Sequence, residues 1–211
     1  MKQTFGLIAA VVMLAATAVA QTVPAPPAGV TRPKYIVHVT QAGAPLGDIV
    51  LELFPDVAPK HCANFDSLVA AKFYDGTAFH RVIPGFMIQG GGLNSKNPNA
   101  PRNMWGISDP SQRKIPAEFN AVSHSRGILS AARTNDPNSA ASQFFICVAN
   151  APHLDRQYTV YGQVVTGLEV VDKIVAAQRD AGDNPVQRID MKIEKIVQKG
   201  VVGKKAPKKT K

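Results

Sequence analysis

The sequence predicts a mainly β protein whose short strands close into an antiparallel barrel capped by two α-helices. Three observations support this fold class. Short apolar runs separated by turn residues recur along the body of the chain, several alternate apolar with polar residues, and only two segments show helical spacing. About seven or eight strands with so few helices favour closure of the sheet, because a closed barrel has no exposed strand edges.

The strands follow from alternation along each apolar run. Ile49, Leu51 and Leu53 fall on one side of the second run, and the segment 43–47 before it is typical of a hairpin loop. The runs are Tyr35–Thr40, Asp48–Phe54, Phe79–Gln89, Gly127–Ala131, Gln143–Val148, Thr159–Val165 and Ile189–Val197. We expect these runs to form a mostly antiparallel sheet.

Two segments carry apolar residues at helical spacing, one after Pro55 and one after Gly167. Their apolar positions are Ala58, Cys62, Phe65 and Leu68/Val69 in the first, and Leu168, Val171 and Ile174/Val175 in the second. We predict one helix in each segment.

The stretch 90–126 fits neither pattern. It is rich in Asn, Pro, Gly and Ser, and it is much longer than an ordinary loop. We therefore expect an ordered excursion that packs on the side of the barrel. Its apolar residues available for this packing are Met104, Trp105, Ile107 and Phe119.

Residues 1–20 are typical of a cleavable signal peptide for export. Lys2 is followed by an apolar run from Phe5 to Ala16 and then by Ala18-Val19-Ala20, a small-residue cleavage site. The alternative, an uncleaved membrane anchor, would need about 20 apolar residues, and this run is shorter. We expect an exported protein with no stable membrane insertion after cleavage.

The excess positive charge lies mainly at the ends of the chain. Lys2 and the five lysines of a Lys-rich tail, residues 200–211, account for six of the formal net charge of +9 and leave +3 on the body. The tail lacks interleaved aromatic residues, so we expect no nucleic-acid partner. It is either a solvated appendage or a site for anionic lipid or polymer. Residues 21–33, which contain four prolines, predict an extended Pro-rich linker.

Composition excludes two other classes of protein. With 45% hydrophobic and 18% charged residues, the chain can bury a core and is not intrinsically disordered. Two cysteines cannot support a disulfide-rich fold; Cys62 and Cys147 are interpreted as small buried hydrophobes, with a mutual disulfide left as the alternative. The five histidines show no HxxxH or HExxH spacing, so we expect no metal site.

The segment FHRVIPGFMIQGG holds the densest group of candidate functional side chains. On a strand that bends at Pro84-Gly85, alternation brings Arg81, Phe86, Met87 and Gln89 toward one side. A cation, two apolar groups and an amide then share one surface. The segment SQFFIC adds a second strand with two more side chains on one face, Gln143 and Phe145. These motifs predict an apolar pocket with one fixed guanidinium.

FHRVIPGFMIQGG and SQFFI strongly resemble the cyclophilins, which are peptidyl-prolyl cis-trans isomerases, and the exported form resembles the periplasmic cyclophilins of Gram-negative bacteria. The resemblance runs from about Lys34 to Lys199 through PLGDIVLELFPDVAPKHCANF, GILSAARTNDPNSAASQFF and YGQVVTG. It implies a closed eight-stranded cyclophilin-like barrel over residues 34–199. It also implies a cofactor-free, monomeric enzyme in the periplasm that accelerates X–Pro rotation in proline-containing segments of exported or unfolded proteins.

Rotation about an X–Pro bond is slow because amide resonance sets a barrier of about 18–20 kcal/mol. Twisting makes the imide nitrogen pyramidal, so a donor aimed at that nitrogen stabilises the twisted state more than either planar state. Arg81 is the predicted donor, because a guanidinium keeps its charge and presents two hydrogen bonds in fixed geometry. By resemblance, Gln89 holds that guanidinium and also touches substrate, and Phe86 completes the catalytic group.

The resemblance also implies the residues that bind substrate. It surrounds the proline ring with Phe86, Met87, Phe145 and Leu154, and it pairs the preceding residue with the backbone of Arg133, beside Ala132. The remaining implied residues are Gln143, His153, Tyr158 and His80. His80 suggests acid–base chemistry, yet rotation moves no proton, so a structural or positioning role is favoured.

Four positions depart from the common family pattern. Ala131 replaces a methionine, Arg133 an asparagine and Tyr158 a histidine, while His153 stands where the cyclosporin-sensitive members carry tryptophan. A rival interpretation is a chaperone-like binding module that keeps the pocket and only holds proline-containing segments. The joint presence of Arg81, Phe86 and Gln89 favours the enzyme.

Overall fold

A computed structural model describes residues 23–197, and their backbone closes into a barrel of eight antiparallel strands. The strands are β1 Lys34–Gln41, β2 Ala44–Leu53, β3 Thr77–Ile83, β4 Met87–Gly90, β5 Ile128–Ala131, β6 Phe144–Cys147, β7 Val160–Thr166 and β8 Ile189–Lys195. Their order around the barrel is β1-β2-β7-β5-β6-β4-β3-β8. Every neighbouring pair is antiparallel, which confirms the predicted fold class.

Both predicted helices are confirmed, as α1 Pro59–Ala70 and α2 Leu168–Val175. Proline opens α1, where its missing N–H costs no helical hydrogen bond. The buried side of α1 includes Phe65, whose ring meets the Tyr35 ring edge-on at 5.3 Å between centroids. Each helix therefore buries one apolar face against the barrel core.

The prediction of one bent strand over Phe79–Gln89 is wrong. The run forms two strands, β3 and β4, joined by a tight turn in which Gly85 has a φ of +74°. The N–H of Phe86 donates to the carbonyl of Ile83 over 3.0 Å and reverses the chain. As a result Arg81 lies opposite Gln89 on the neighbouring strand.

The predicted hairpin loop at 43–47 is also shorter than expected. The turn consists of Ala42 and Gly43, both with positive φ, and Ala44 already belongs to β2. Two consecutive residues with positive φ are typical of the two-residue turns that match strand twist. Residues 44–47 therefore extend the strand.

The excursion 90–126 is ordered, but only one of its four expected contacts is buried. Trp105 is 2% exposed, whereas Met104, Ile107 and Phe119 are 40–48% exposed. Ile115, through a backbone hydrogen bond of 2.7 Å to Ala140, supplies an anchor that the sequence pattern did not indicate. Polar and backbone bonds thus replace part of the apolar packing that we expected.

The described part of the predicted linker, residues 23–33, forms no helix or strand yet contacts the barrel at both ends. Val23 packs on the cluster around Phe54. The buried guanidinium of Arg32 donates to both carboxylate oxygens of Asp56, at 3.0 and 2.7 Å. The predicted signal peptide, residues 1–20, and the Lys-rich tail, residues 200–211, lie outside the described residues. Among the residues described, no helix is long and apolar enough to cross a membrane.

Glu118, at the end of the excursion, caps helix α1. Its carboxylate accepts hydrogen bonds from the backbone N–H groups of Lys60 and His61, at 3.0 and 2.9 Å, and lies 2.6 Å from His61 Nδ1. The first N–H groups of a helix have no partner within the helix, so an acceptor here stabilises the helix start.

We predict that Glu118→Ala lowers the free energy of unfolding by about 2 kcal/mol, because it leaves three donors without their acceptor. Urea unfolding followed by circular dichroism measures the change. Glu169→Ala, in the exposed first turn of α2, is the matched control, because this carboxylate makes no hydrogen bond within residues 23–197. Equal stability losses in the two variants would contradict the capping role.

Candidate active site

A cavity of about 140 Å³ opens on one side of the barrel. The β3–β4 hairpin, strand β6, the segment after β5 and the turn before β7 supply its walls. Its lining residues are Arg81, Phe86, Met87, Gln89, Ala132, Arg133, Phe145, Leu154 and Tyr158. Every one of these residues belongs to the predicted site, and the fold brings them together.

The inner wall of the cavity is apolar. Met87, Phe145 and Leu154 are buried and pack together, and half-buried Phe86 joins them at the edge. The Tyr158 ring meets Phe145 edge-on, with 5.8 Å between the ring centroids. This arrangement forms a slot whose size and apolar wall suit a small apolar ring.

Arg81 stands at the edge of this slot with an exposed side chain. Within residues 23–197 its guanidinium makes no hydrogen bond or ion pair. Gln89 lies opposite it in the strand register, but its Nε2 donates to Oε1 of Gln143 over 3.0 Å. The expected hydrogen bond between Gln89 and the Arg81 guanidinium is not formed in this structure: Gln89 Nε2 donates to Gln143, and Gln89 Oε1, the atom that could accept from Arg81, accepts no hydrogen bond within residues 23–197.

Arg133 is the second arginine on the cavity, and its side chain is fully engaged. Its guanidinium carbon lies 4.3 Å from the centre of the Tyr158 ring, and its donors bond the carbonyls of Gln157 at 3.0 Å and Thr134 at 2.8 Å. Its backbone N–H and carbonyl have no hydrogen-bond partner in the part of the chain that the structure describes. No local sequence pattern indicates the stack of Arg133 on Tyr158, which connects two separate loops.

A buried polar network behind the cavity was missed by the sequence analysis. The His124 ring stacks on Phe145 with 6.0 Å between centroids and an interplanar angle of 16°. Its Nδ1 lies 3.0 Å from Oδ1 of Asp155, and its Nε2 lies 3.1 Å from Oγ of Ser130. Burial lowers the pKa of His124, although the neighbouring Asp155 opposes the shift. The network holds the Phe145 ring in one orientation.

Three predicted substrate-binding residues do not line the cavity. His80 is buried behind it, with 4% of its surface exposed, so we no longer assign it direct contact with substrate. His153 is exposed outside it, with its ring 5.6 Å from that of Phe86. Gln143 lines a neighbouring cavity of about 90 Å³ and reaches the first one through its hydrogen bond with Gln89.

Comparison with known proteins decides the family. The model of the family described as cyclophilin type peptidyl-prolyl cis-trans isomerase/CLD matches residues 36–197. The chain belongs to the cyclophilin family. It is a peptidylprolyl isomerase.

Two bacterial relatives and one solved structure show how far the similarity extends. A probable peptidyl-prolyl cis-trans isomerase of Brucella suis is 46% identical over 155 residues, which are 70% of this chain and 78% of the relative. A peptidyl-prolyl cis-trans isomerase of Acinetobacter baylyi is 41% identical over 163 residues, covering 72% and 82%. The crystal structure of a Cryptosporidium parvum cyclophilin-type isomerase in the presence of the dipeptide Ala-Pro aligns with a TM-score of 0.66 and 29% identity. It covers 78% of this chain and 99% of its own.

The two cysteines of this cyclophilin are both free and buried. Cys62 belongs to the main core, whereas Cys147 packs beneath the cavity among Met87 and Leu154. Burial raises the pKa of each thiol to about 12, so both stay protonated. The alternative of a mutual disulfide is not realised. No group of three or more potential metal ligands lies together within residues 23–197.

The buried histidines of this cyclophilin predict a loss of stability in acid. Burial lowers the pKa values of His61 and His124, and it lowers that of His80 to about 4. The unfolded chain therefore binds protons before the folded chain as the pH falls below about 6.5, which reduces the free energy of unfolding. The contribution of His80 is fully present above this pH and is lost progressively down to its folded pKa.

We expect the free energy of unfolding to fall by about 2 kcal/mol between pH 7 and pH 5 through His80 alone. Urea unfolding at a series of pH values measures the slope. His80→Asn should flatten it, whereas His153→Asn, at an exposed position, should leave it unchanged. A slope that is the same in the His80→Asn variant would contradict the assignment.

Proposed function

We propose that Arg81 is the catalytic donor of this isomerase. The observation that supports this proposal is the exposed guanidinium of Arg81 at the edge of an apolar slot, where it is unpaired within residues 23–197. As the X–Pro bond twists, the imide nitrogen becomes pyramidal and accepts a hydrogen bond that the planar amide does not. Donors aimed at this nitrogen, or at the carbonyl as it swings, stabilise the twisted state selectively. Phe86 and Gln89, which line the same cavity, complete the catalytic group.

The slot formed by Phe86, Met87, Phe145 and Leu154 holds the proline ring in this proposal. Its low polarity also disfavours the charge-separated planar amide relative to the twisted state. The unpaired backbone N–H and carbonyl of Arg133 then pair with the residue that precedes proline. A dipeptide containing proline accompanied the Cryptosporidium parvum relative, which supports proline-containing peptides as the ligand class.

Residues around the proline slot contact the parts of the peptide on either side of the proline in this proposal. We place Ala132 and Tyr158 along the peptide on the cavity wall, and Gln143 beside them in the neighbouring cavity. His153 extends the surface past Phe86. These side chains surround both ends of the X–Pro bond, which is rotated and not cleaved. The peptide is therefore held on both sides while this bond rotates.

A second candidate activity, beside isomerisation, is holding of proline-containing segments. The apolar slot alone would serve this purpose, since burial of a proline ring needs no donor. Arg81 distinguishes the two functions, because a guanidinium directed at a pyramidal nitrogen benefits the twisted state and adds little to holding.

We further infer that the enzyme assists the folding of exported proteins in the periplasm, as a monomer. The residues that support this are the signal-peptide pattern in residues 1–20 and its small-residue site at Ala18-Val19-Ala20. Folding there is limited by the same slow X–Pro rotation, which takes tens to hundreds of seconds without a catalyst. Proline-containing segments of exported or unfolded chains are the proposed substrates.

We predict that Arg81→Ala lowers kcat/KM for a short Ala-Pro-Phe-type peptide by about 100-fold, as expected for loss of a transition-state donor. The protein should still suppress aggregation of a proline-rich unfolded chain if the slot is intact. Arg113→Ala, an exposed arginine outside the cavity, is the control and should keep the parent rate. Equal rates for Arg81→Ala and the parent would refute the catalytic role.

Export is tested by expressing the full chain in a Gram-negative host and sequencing the N-terminus of the protein from each cell fraction. We expect a mature protein in the periplasm that begins at Gln21. A variant without residues 2–20 should stay in the cytoplasm. Full-length protein in the membrane fraction would favour the uncleaved anchor instead.

A further inference from the structure

Trp105, the single tryptophan of the chain, is buried in the excursion and lies under two guanidinium groups. The guanidinium carbon of Arg102 is 5.7 Å from the centre of the Trp105 ring, and that of Arg188 is 4.7 Å away. We call these three residues the Trp105 stack. Cation–π contacts that are partly shielded from water stabilise a fold more than exposed cation–π contacts do.

Each arginine of the Trp105 stack is anchored to a different part of the barrel. Arg102 donates to the carbonyls of Pro185 and Val186, in the segment before β8. Arg188 donates to the carboxylate of Asp190 and to two backbone carbonyls, one just before β3 and one in the excursion. These carbonyls are those of Gly76 at 2.8 Å and Ser95 at 2.6 Å. The indole therefore has a fixed position relative to the barrel wall.

The backbone next to the indole is packed without free space. A Cβ atom on Gly92 would lie 2.2 Å from the carbonyl oxygen of Trp105, so these two backbone segments are in direct contact. A Cβ atom on Gly106 would lie 3.1 Å from Nε2 of His80. Gly106 is thus held between the Trp105 stack and the buried imidazole. Its carbonyl accepts a hydrogen bond from Nε2 of Gln143 over 3.0 Å.

The carbonyl of Gly106 decides how two side-chain amides are oriented. A carbonyl can only accept, so Gln143 must present its NH₂ group to Gly106 and its Oε1 to Gln89. Gln89 must then present its own NH₂ group to Gln143. The Oε1 atom of Gln89 accepts no hydrogen bond from residues 23–197, and Gln89 lines the cavity opposite Arg81 on the neighbouring strand.

We propose that the Trp105 stack is a positioning device that fixes this orientation of Gln89. With the orientation fixed, Gln89 offers an acceptor to the Arg81 guanidinium or to a peptide N–H, and never a donor that would repel them. Displacement of the Gly106 carbonyl would let both amides turn over and present NH₂ toward the cavity. The inference deepens the proposed function, because it assumes that Arg81 and Gln89 act on the substrate.

The test is a double-mutant cycle between Trp105→Leu and Gln143→Leu, with kcat/KM for the Ala-Pro-Phe-type peptide as the readout. We expect Trp105→Leu to lower kcat/KM about 10-fold when Gln143 is present, and by less than about 2-fold in the Gln143→Leu background. Trp105→Phe keeps an aromatic face under the guanidiniums and should recover most of the rate. A purely structural role would give equal losses in both backgrounds.

Arg102→Ala provides a second variant that keeps the indole and should show a smaller loss with the same dependence on Gln143. Phe54→Leu is the matched control, because Phe54 lies 4.3 Å under Arg32 in an equivalent contact away from the cavity. This control should lower stability, measured by circular dichroism, without coupling to Gln143. An unchanged kcat/KM in folded Trp105→Leu, or equal losses in both backgrounds, would overturn the proposal. Parent-like activity of Arg81→Ala would instead refute the proposed function.

Discussion

The cross-strand pairing of Arg81 with Gln89 is the constraint on which the rest of the site depends. The turn at Gly85 brings the two residues opposite each other, and strand alternation points both toward the cavity. A slip of one residue would exchange them for neighbours such as His80 and Val82, which are buried. Barrel closure prevents that slip, because β3 also pairs with β8 and β4 also pairs with β6.

Buried polar groups give the apolar slot its shape. Phe145 is fixed by the stacked His124 ring on one side and the edge contact with Tyr158 on another. His124 is in turn fixed by Asp155 and Ser130, which bond its two ring nitrogens. A wall made only of interchangeable apolar side chains would pack in several ways, whereas directional bonds admit one. The polar network therefore determines the shape of the cavity, which apolar packing alone would leave variable.

The sequence predicted what depends on near neighbours and on the family motifs. Alternation located the strands, and helical spacing located both helices, because these patterns repeat within a few residues. The strand prediction failed at Pro84-Gly85, because the same two residues are compatible with a bend in one strand and with a turn between two strands. The sequence also did not indicate the hydrogen bonds of Gln143, whose amide contacts Gln89 and Gly106 from distant parts of the chain. Such contacts, and the stack of Arg133 on Tyr158, have no local signature.

Arg81 and Arg133 line the same cavity, yet their donors are in opposite states. Arg133 already bonds backbone carbonyls and the Tyr158 ring, so it could serve a reacting group only by giving up those bonds. The Arg81 side chain is exposed, and its guanidinium makes no hydrogen bond within residues 23–197. In the proposed reaction, the developing lone pair on the imide nitrogen is the acceptor for these donors, in surroundings less polar than water. The apolar slot therefore strengthens the interactions of the Arg81 charge beside it, and the proposed catalysis depends on the two together.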